Sequence, residues 1–381
     1  MTMKAIRSAA IMLFSVLVPL ASCAKTDPLF PDTPVIVPPG ETSDPEEVEF
    51  RGLVYIDKAS MDGHLGGERV VRQKMDRLFA DVTEYWNESA RGRLDFRYRY
   101  VVGDIVTYDC GSNDPELNRK VYNDPMDFGK YDFVVLFDAM QDHDDDRGEG
   151  GAHGGGSDHR SVITIIAGAE PKDLFDETTR NTLTHELGHY RGVTDLYQYQ
   201  IDAKNNPVSN ETFDGTTCIM NWAAAGVWSD YAVGCMNLAG PAKQIGKEFD
   251  NFFNSLYPDD IEFVVTVDGK PRRGIDIELY ASRAGASDHP RDIYGEVYCS
   301  GRTSTDGRWV LKDVVRYFIP SVDKELEQTL NVPPSLSYGR CFGFLAKVIY
   351  NDEVKYVWMS EEKVQMSTLE GKDIFTVNVS F

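Results

Sequence analysis

The chain is short of basic side chains. Its 39 lysines and arginines face 61 aspartates and glutamates, a formal charge of -22 over 381 residues. A nucleic-acid binder needs a basic face for phosphates, so this balance argues against that class of partner. Long apolar runs are missing after the first two dozen residues, which leaves no downstream segment suited to span a bilayer as a helix. Internal repeats are absent too, and the one biased tract is a proline-, threonine- and acid-rich stretch at 24–47. The length that remains is enough for two domains, each with its own core.

The amino terminus carries a specific signal. In MTMKAIRSAAIMLFSVLVPLASC, Lys4 and Arg7 precede an apolar run and then small residues, the composition of a secretory signal rather than a membrane span. Its end, Leu20-Ala21-Ser22-Cys23, resembles the lipobox of bacterial lipoproteins. That resemblance implies a signal peptide over 1–22, cleavage before Cys23 and diacylation of its sulfur. The protein would then be held by acyl chains in the bacterial cell envelope, at the outer membrane or the cell surface. A plain secretory signal with an incidental cysteine is the alternative. Residues 23–50 read as the lipidated cysteine and an extended tether. An exported compartment permits disulfides. Domain membership suggests Cys218 with Cys235 and Cys299 with Cys341, leaving Cys110 over.

Two regions follow, 51–258 and 259–381. The first opens with an apolar strand at 51–57. A helix from Glu68 is expected from Val71, Met75, Leu78, Phe79, Val82 and Tyr85 at helical spacing, ended by Gly92. Strands are expected at 95–109, 131–138 and 161–167, the last as an edge near a cleft. A helix starts near Asp176, and a last one at Gly240-Pro241 with Ile245, Phe249, Phe252 and Leu256 on one face. After Pro258 short strands with Asp-Gly and Gly-Lys turns predict an all-β sandwich. Its VDGKP…IELY…TSTDGRWVL pattern resembles the prealbumin-like or carboxypeptidase-regulatory β-sandwich.

The chemistry concentrates in TLTHELGHYRGVTDLYQ, residues 182–198. On a helix, His185 and His189 share a face, so their imidazoles can converge on one ion. Glu186, one step round, points toward the same cleft, placed to take a proton from water. Gly192 allows the chain to turn back sharply, and Asp195 arrives as a third ligand. Two imidazoles, one carboxylate and a water make a four-coordinate, open zinc site. A helix with two exposed histidines is the bland alternative.

HELGHYRGVTD resembles the HExxHxxGxxH/D motif of the metzincin zinc peptidases, in the form with aspartate as third ligand. Together with YWNESARGRLDF at 85–96 it looks most like the immune inhibitor A group of secreted bacterial metallopeptidases. The resemblance spans about residues 51–257 and implies an α+β zincin, metzincin-like catalytic domain ahead of the β-sandwich. It implies one catalytic Zn2+ on His185, His189 and Asp195, Glu186 as catalytic base, and a methionine turn at CIMNW with structural Met220. Some metzincins carry a tyrosine two residues after that methionine; Trp222 stands there and cannot ligate. A transition-state donor would come from elsewhere, Tyr231 being one choice.

Weaker features surround this motif. The loop 141–160 holds Asp142, Asp144, Asp145, Asp146 and Glu149, oxygen ligands of the kind that bind Ca2+, although a solvated acidic loop explains them as well. His153, His159 and Asp138 could rim the cleft, and a peptide could add to the edge strand at 161–167. Trp222, Trp228 and Tyr231 suit either a specificity pocket or core packing. The expectation is a lipid-anchored extracytoplasmic zinc endopeptidase acting on a protein or peptide. Its alternative is a non-catalytic surface binding or adhesion lipoprotein on a zincin-like scaffold.

Overall fold

The computed structural model describes residues 45–63, 65–108, 130–138, 151–155, 162–166, 174–243, 249–285, 291–336 and 339–381. The signal, Cys23, the tether up to residue 44, Cys110, the acidic residues at 142–149 and His159 lie outside these residues, as do the side chains of Asp138 and His153.

The first sheet has the order β2-β1-β3-β5-β4. Strand β1 (Glu47–Asp57) is parallel to β2 (Arg97–Tyr108) and to β3 (Phe133–Asp138). Strand β5 (Val162–Ile166) extends the row in parallel, and β4 (Gly151–Gly155) closes it antiparallel. β1 and β3 read as unbroken apolar runs because both faces are covered: residues 53–56 and 133–137 are all buried. The edge beyond β5 is therefore β4, not the predicted 161–167. Its sequence, GAHGG, hides the strand because glycine contributes no packing surface and has low β propensity.

Helix α1 (Glu68–Ala90) buries Val71, Met75, Leu78, Phe79 and Val82, as its periodicity predicts, and then Trp86, whereas the expected Tyr85 is only half-buried. It stops where Arg91 adopts left-handed φ 54° and Gly92 follows at φ 73°. Trp86 sits at a convergence of elements. Its ring lies 5.5 Å from Tyr98, 5.1 Å from Tyr100 and 4.7 Å from Trp228, and the Trp228 indole donates to its carbonyl at 3.1 Å. Helix α2 (Glu177–Tyr190) lies beside α1 and against both β4 and β5.

One helix was misplaced from sequence. Helix α3 (Asp230–Ala239) starts on Ser229, whose hydroxyl accepts from the Ala232 amide at 3.2 Å, and ends at Gly240 with φ 54°. Gly240-Pro241 thus terminates a helix instead of opening one; proline is favoured both just past a glycine cap and in a first turn. The last helix of this part is described as α4 (Phe249–Ser255), with Phe252 and Leu256 buried. Arg191, fully buried after α2, donates to the carbonyls of Gly240 and Ala242 at 2.6 and 2.7 Å and stacks on Phe50.

After residue 258 two sheets form. One is β10-β8-β12-β13, from Cys299–Arg302, Asp276–Arg283, Gly343–Tyr350 and Glu353–Ser360, with the short β9 (Asp292–Ile293) beside β8. The other is β11-β6-β14, from Arg308–Lys312, Asp260–Val267 and Ile374–Ser380, with β7 (Lys270–Pro271) beside β6. Phe263, Val265, Leu311 and Val377 of one sheet share an apolar cluster with Ile277, Leu279, Phe344 and Val348 of the other. Helix α5 (Glu361–Leu369), absent from the strand-by-strand reading, joins β13 to β14 and lies against α3. The same cluster runs on into the first sheet and its helices, and the described residues belong to one compact unit.

The suggested disulfides are not formed: Cys218, Cys235, Cys299 and Cys341 are free thiols. Burial pushes the Cys235 and Cys299 thiols up to about 12, which keeps them protonated and unreactive.

Because Trp86 joins α1, β2 and the segment before α3, Trp86→Ala is expected to cost about 3–5 kcal/mol. Urea unfolding should show a lower midpoint at unchanged slope; a loss under 1 kcal/mol would mean the site collapses around the cavity.

Candidate metal centre

Helix α2 starts on Asp176, whose carboxylate accepts from the Thr179 amide at 2.8 Å. It ends in a Schellman motif. The Val193 amide returns to the Gly188 carbonyl at 3.0 Å and the Gly192 amide to the His189 carbonyl at 2.9 Å. Gly192 has φ 81°, and a Cβ there would lie 2.4 Å from the Phe252 ring. Both backbone conformation and space demand glycine at this turn. The reversed chain brings Asp195 back over the helix, and the Leu196 amide fastens it to the Met220 carbonyl at 3.0 Å.

Nε2 of His185 and Nε2 of His189 each lie 3.2 Å from the same oxygen, Oδ1 of Asp195. The three donor atoms fall within 4.8 Å of one another. Each ring is oriented from behind: His185 Nδ1 meets the Ile219 carbonyl at 2.8 Å, and His189 Nδ1 meets the Val193 carbonyl at 2.9 Å. A carbonyl can only accept, so both Nδ1 atoms carry hydrogen, and each Nε2 faces Asp195 Oδ1 as a donor when its ring is protonated and as a lone pair when it is neutral. The other oxygen, Oδ2, accepts from the Tyr197 hydroxyl at 2.8 Å. Two lone pairs aimed at one carboxylate oxygen repel unless a proton or a cation sits among them. This donor set fits a divalent cation that takes nitrogen and oxygen ligands, zinc foremost.

The electrostatics agree with that reading. Burial would raise the Asp195 carboxyl, but the hydrogen bonds from His185 and His189 outweigh it and hold Asp195 well below the ordinary carboxylate range. For His189 burial acts downward, yet the Asp195 hydrogen bond and the charges of Asp195 and Glu186 outweigh it and raise the ring above its ordinary 6.5. Glu186 is buried at 5 % exposure on the same helix, close enough for its charge to bear on His189.

Met220 is fully buried. Its sulfur fills the space a side chain at Gly188 would take, 2.4 Å from where that Cβ would be. The small residue between the two histidines therefore lets the methionine turn close up under the helix. The same turn supplies the Ile219 carbonyl to His185. Tyr231 is not a transition-state donor: it is 1 % exposed and gives its hydroxyl to Gln365 at 2.6 Å. Trp228 belongs to the core, whereas Trp222 is 69 % exposed. Sequence reasoning missed Tyr197, Gly188 and the two backbone carbonyls. Only Gly188 left a trace, as a helix-interior glycine that costs stability unless something needs the space.

In the metal-free chain the sign of each shift fixes a window. The raised His189 contributes stability below 6.5 and loses it as pH rises through its folded value; the depressed Asp195 contributes above 3.8 and loses it as pH falls. Zinc must displace the His189 proton wherever that ring is protonated. Zinc affinity is therefore expected to rise with pH and level off above the raised His189 value. Calorimetry in buffers of different ionisation enthalpy should show proton release on zinc binding that declines as pH rises; release that does not change with pH would mean that zinc displaces no His189 proton.

No protein-family model and no curated protein matches the chain. Among solved structures, it is similar to a chain of a chaperone–substrate complex, at 13% identity and a TM-score of 0.34 over 54% of this chain. It spans 36% of that chain's length. It is also similar to OgpA from Akkermansia muciniphila, at 10% identity and a TM-score of 0.32, over 85% of this chain and 95% of that one. Overlaps this loose establish neither a shared fold nor an activity.

Proposed function

We propose that the protein is a zinc-dependent endopeptidase of the metzincin type, exported and lipid-anchored in a bacterial cell envelope. One observation carries the reading: His185, His189 and Asp195 converge with both imidazole Nδ1 atoms already committed to carbonyls. His185, His189 and Asp195 would hold the zinc. When bound, zinc supplies Lewis acidity, which acidifies water and polarises a substrate carbonyl.

The chain's own residues do the rest. Glu186, buried beside His189, takes the proton of the attacking water and passes it to the leaving amine. Tyr197 holds Asp195 by Oδ2, so Oδ1 stays turned toward the imidazoles. An anionic third ligand leaves the loaded site at a charge of about +1, which acidifies water less than three neutral ligands would and puts more weight on Glu186. The outer side of β4 has no partner strand among the described residues, and β4 lies against α2. A peptide pairing with that edge would run past the site by main-chain hydrogen bonds.

The test is a peptide-library digest read by mass spectrometry, with the zinc-loaded chain lacking residues 1–23 and its Glu186→Gln variant. The parent is expected to cleave and the variant to lose activity by about 10²-fold or more, at unchanged zinc content. Cleavage that survives in the variant would remove Glu186 from the mechanism. A zinc-loaded parent that cleaves nothing would favour the surface binding or adhesion reading.

A further inference from the structure

The 3-10 turn Leu196–Tyr199 carries more than the chain away from Asp195. Tyr199 is buried, and its hydroxyl donates to Glu361 Oε2 at 2.8 Å. That hydroxyl has one hydrogen, so the Thr194 hydroxyl, 3.1 Å away, must be the donor in the second bond. Glu361 thereby fastens Tyr199 and, through it, the residue next to Asp195. Glu361 is fully buried at the start of α5; Tyr257 donates to its other oxygen and Arg340 lies 3.6 Å away. A buried carboxylate with partners on every side holds one geometry, because any displacement strands a charge or a donor without water.

A second hold comes from the β8–β9 connection. Arg291 donates to the Tyr197 carbonyl and its guanidinium lies 5.7 Å from the Tyr197 ring. The Gly285 amide donates to the Gln198 side chain at 3.1 Å. Tyr197 is the residue that binds Asp195 Oδ2. Contacts from beyond residue 258 thus hold the turn at Tyr197, Gln198 and Tyr199, just past Asp195, and Tyr199 passes the hold to Thr194 on the other side.

We propose that Glu361 and Arg291 are positioning residues for Asp195, so that the C-terminal β region is a working part of the metal centre and not an appended module. The inference rests on the zinc reading for its consequence, though not for the contacts themselves. Metal affinity depends on the region beyond 258 because it holds the one ligand that the helix does not carry. The two histidines are fixed by α2 and the methionine turn; Asp195 is fixed by the turn that Glu361 and Arg291 grip.

The experiment uses the chain lacking residues 1–23 and four single variants: Tyr199→Phe, which keeps the ring and removes the hydroxyl, Glu361→Gln, Arg291→Gln and Asp195→Ala. Zinc affinity is measured by chelator competition, and each of the first three changes is repeated in the Asp195→Ala background. Tyr199→Phe and Arg291→Gln are each expected to weaken zinc about 10-fold or more in the parent, and to change affinity little once Asp195 is gone. Equal losses in both backgrounds would show a general structural effect and overturn the proposal. Hydrogen exchange of residues 193–201 in metal-free protein is the second readout, with faster exchange expected in Tyr199→Phe and Glu361→Gln. Unchanged exchange also overturns it. A parent that binds no zinc would defeat the peptidase reading, while the exchange result would still decide whether this region holds the turn.

Discussion

The site depends on one reversal of the chain. Two histidines four apart on a helix supply two donors at no conformational cost, but a third donor must come from outside the helix and from the same side. The Schellman turn at Gly192 provides it within six residues of His189. A side chain there would add a left-handed backbone penalty of about 1 kcal/mol to a collision with Phe252. The position of Phe252 in α4 is thus bound up with the turn that carries Asp195 back over the helix. The carbonyls that the ending helix and the turn leave exposed are not wasted: the Val193 carbonyl orients His189. Helix termination and ligand orientation are one arrangement of backbone groups.

The methionine turn plays the matching part on the other imidazole. Its Ile219 carbonyl orients His185, its Met220 carbonyl binds the Leu196 amide, and its sulfur lies against Gly188. Three contacts from three adjacent groups tie the turn to the helix and to the segment carrying Asp195. Met220 itself offers no ligand and no proton. Its contribution is shape, a soft side chain filling the space that a missing Cβ leaves.

What was legible in the sequence follows from how local each signal is. The convergence of His185, His189 and Asp195 is legible because the three fall within eleven residues, with a helical period followed by the glycine break at Gly192. Helix α1 was legible because five apolar residues from Val71 to Val82 recur on one face, although Trp86 and not Tyr85 continues it. The failures came where a signal needs its partner in space. β4 is a strand only because β5 supplies its ladder. Gly240-Pro241 suits either end of a helix, and α3 decides which. Tyr231 has the same composition signal as a catalytic tyrosine, but Gln365, 134 residues away, takes its hydroxyl. Domain membership suggested cysteine pairs that the fold keeps as separate free thiols. Tyr197 had no signal at all, since nothing in a tyrosine two residues past an aspartate tells a hydrogen bond from a core contact.

The buried polar groups of α5 sit where the two parts of the chain share one apolar core. An apolar seam would hold them together as well, and with less desolvation cost. Here Glu361 meets Tyr199 and Tyr257, Glu362 meets Thr216, and Gln365 meets Tyr231. Those partners come from the turn after Asp195, the approach to the methionine turn, helix α3 and the end of α4. Apolar contact is indifferent to small slides; a buried carboxylate that must find two hydroxyls is not. The choice of polar partners therefore selects one register between the C-terminal region and the segments that shape the metal centre. That selectivity matters for a cluster with donors from two elements, because a shift of an ångström at Asp195 would move one donor while leaving His185 and His189 in place.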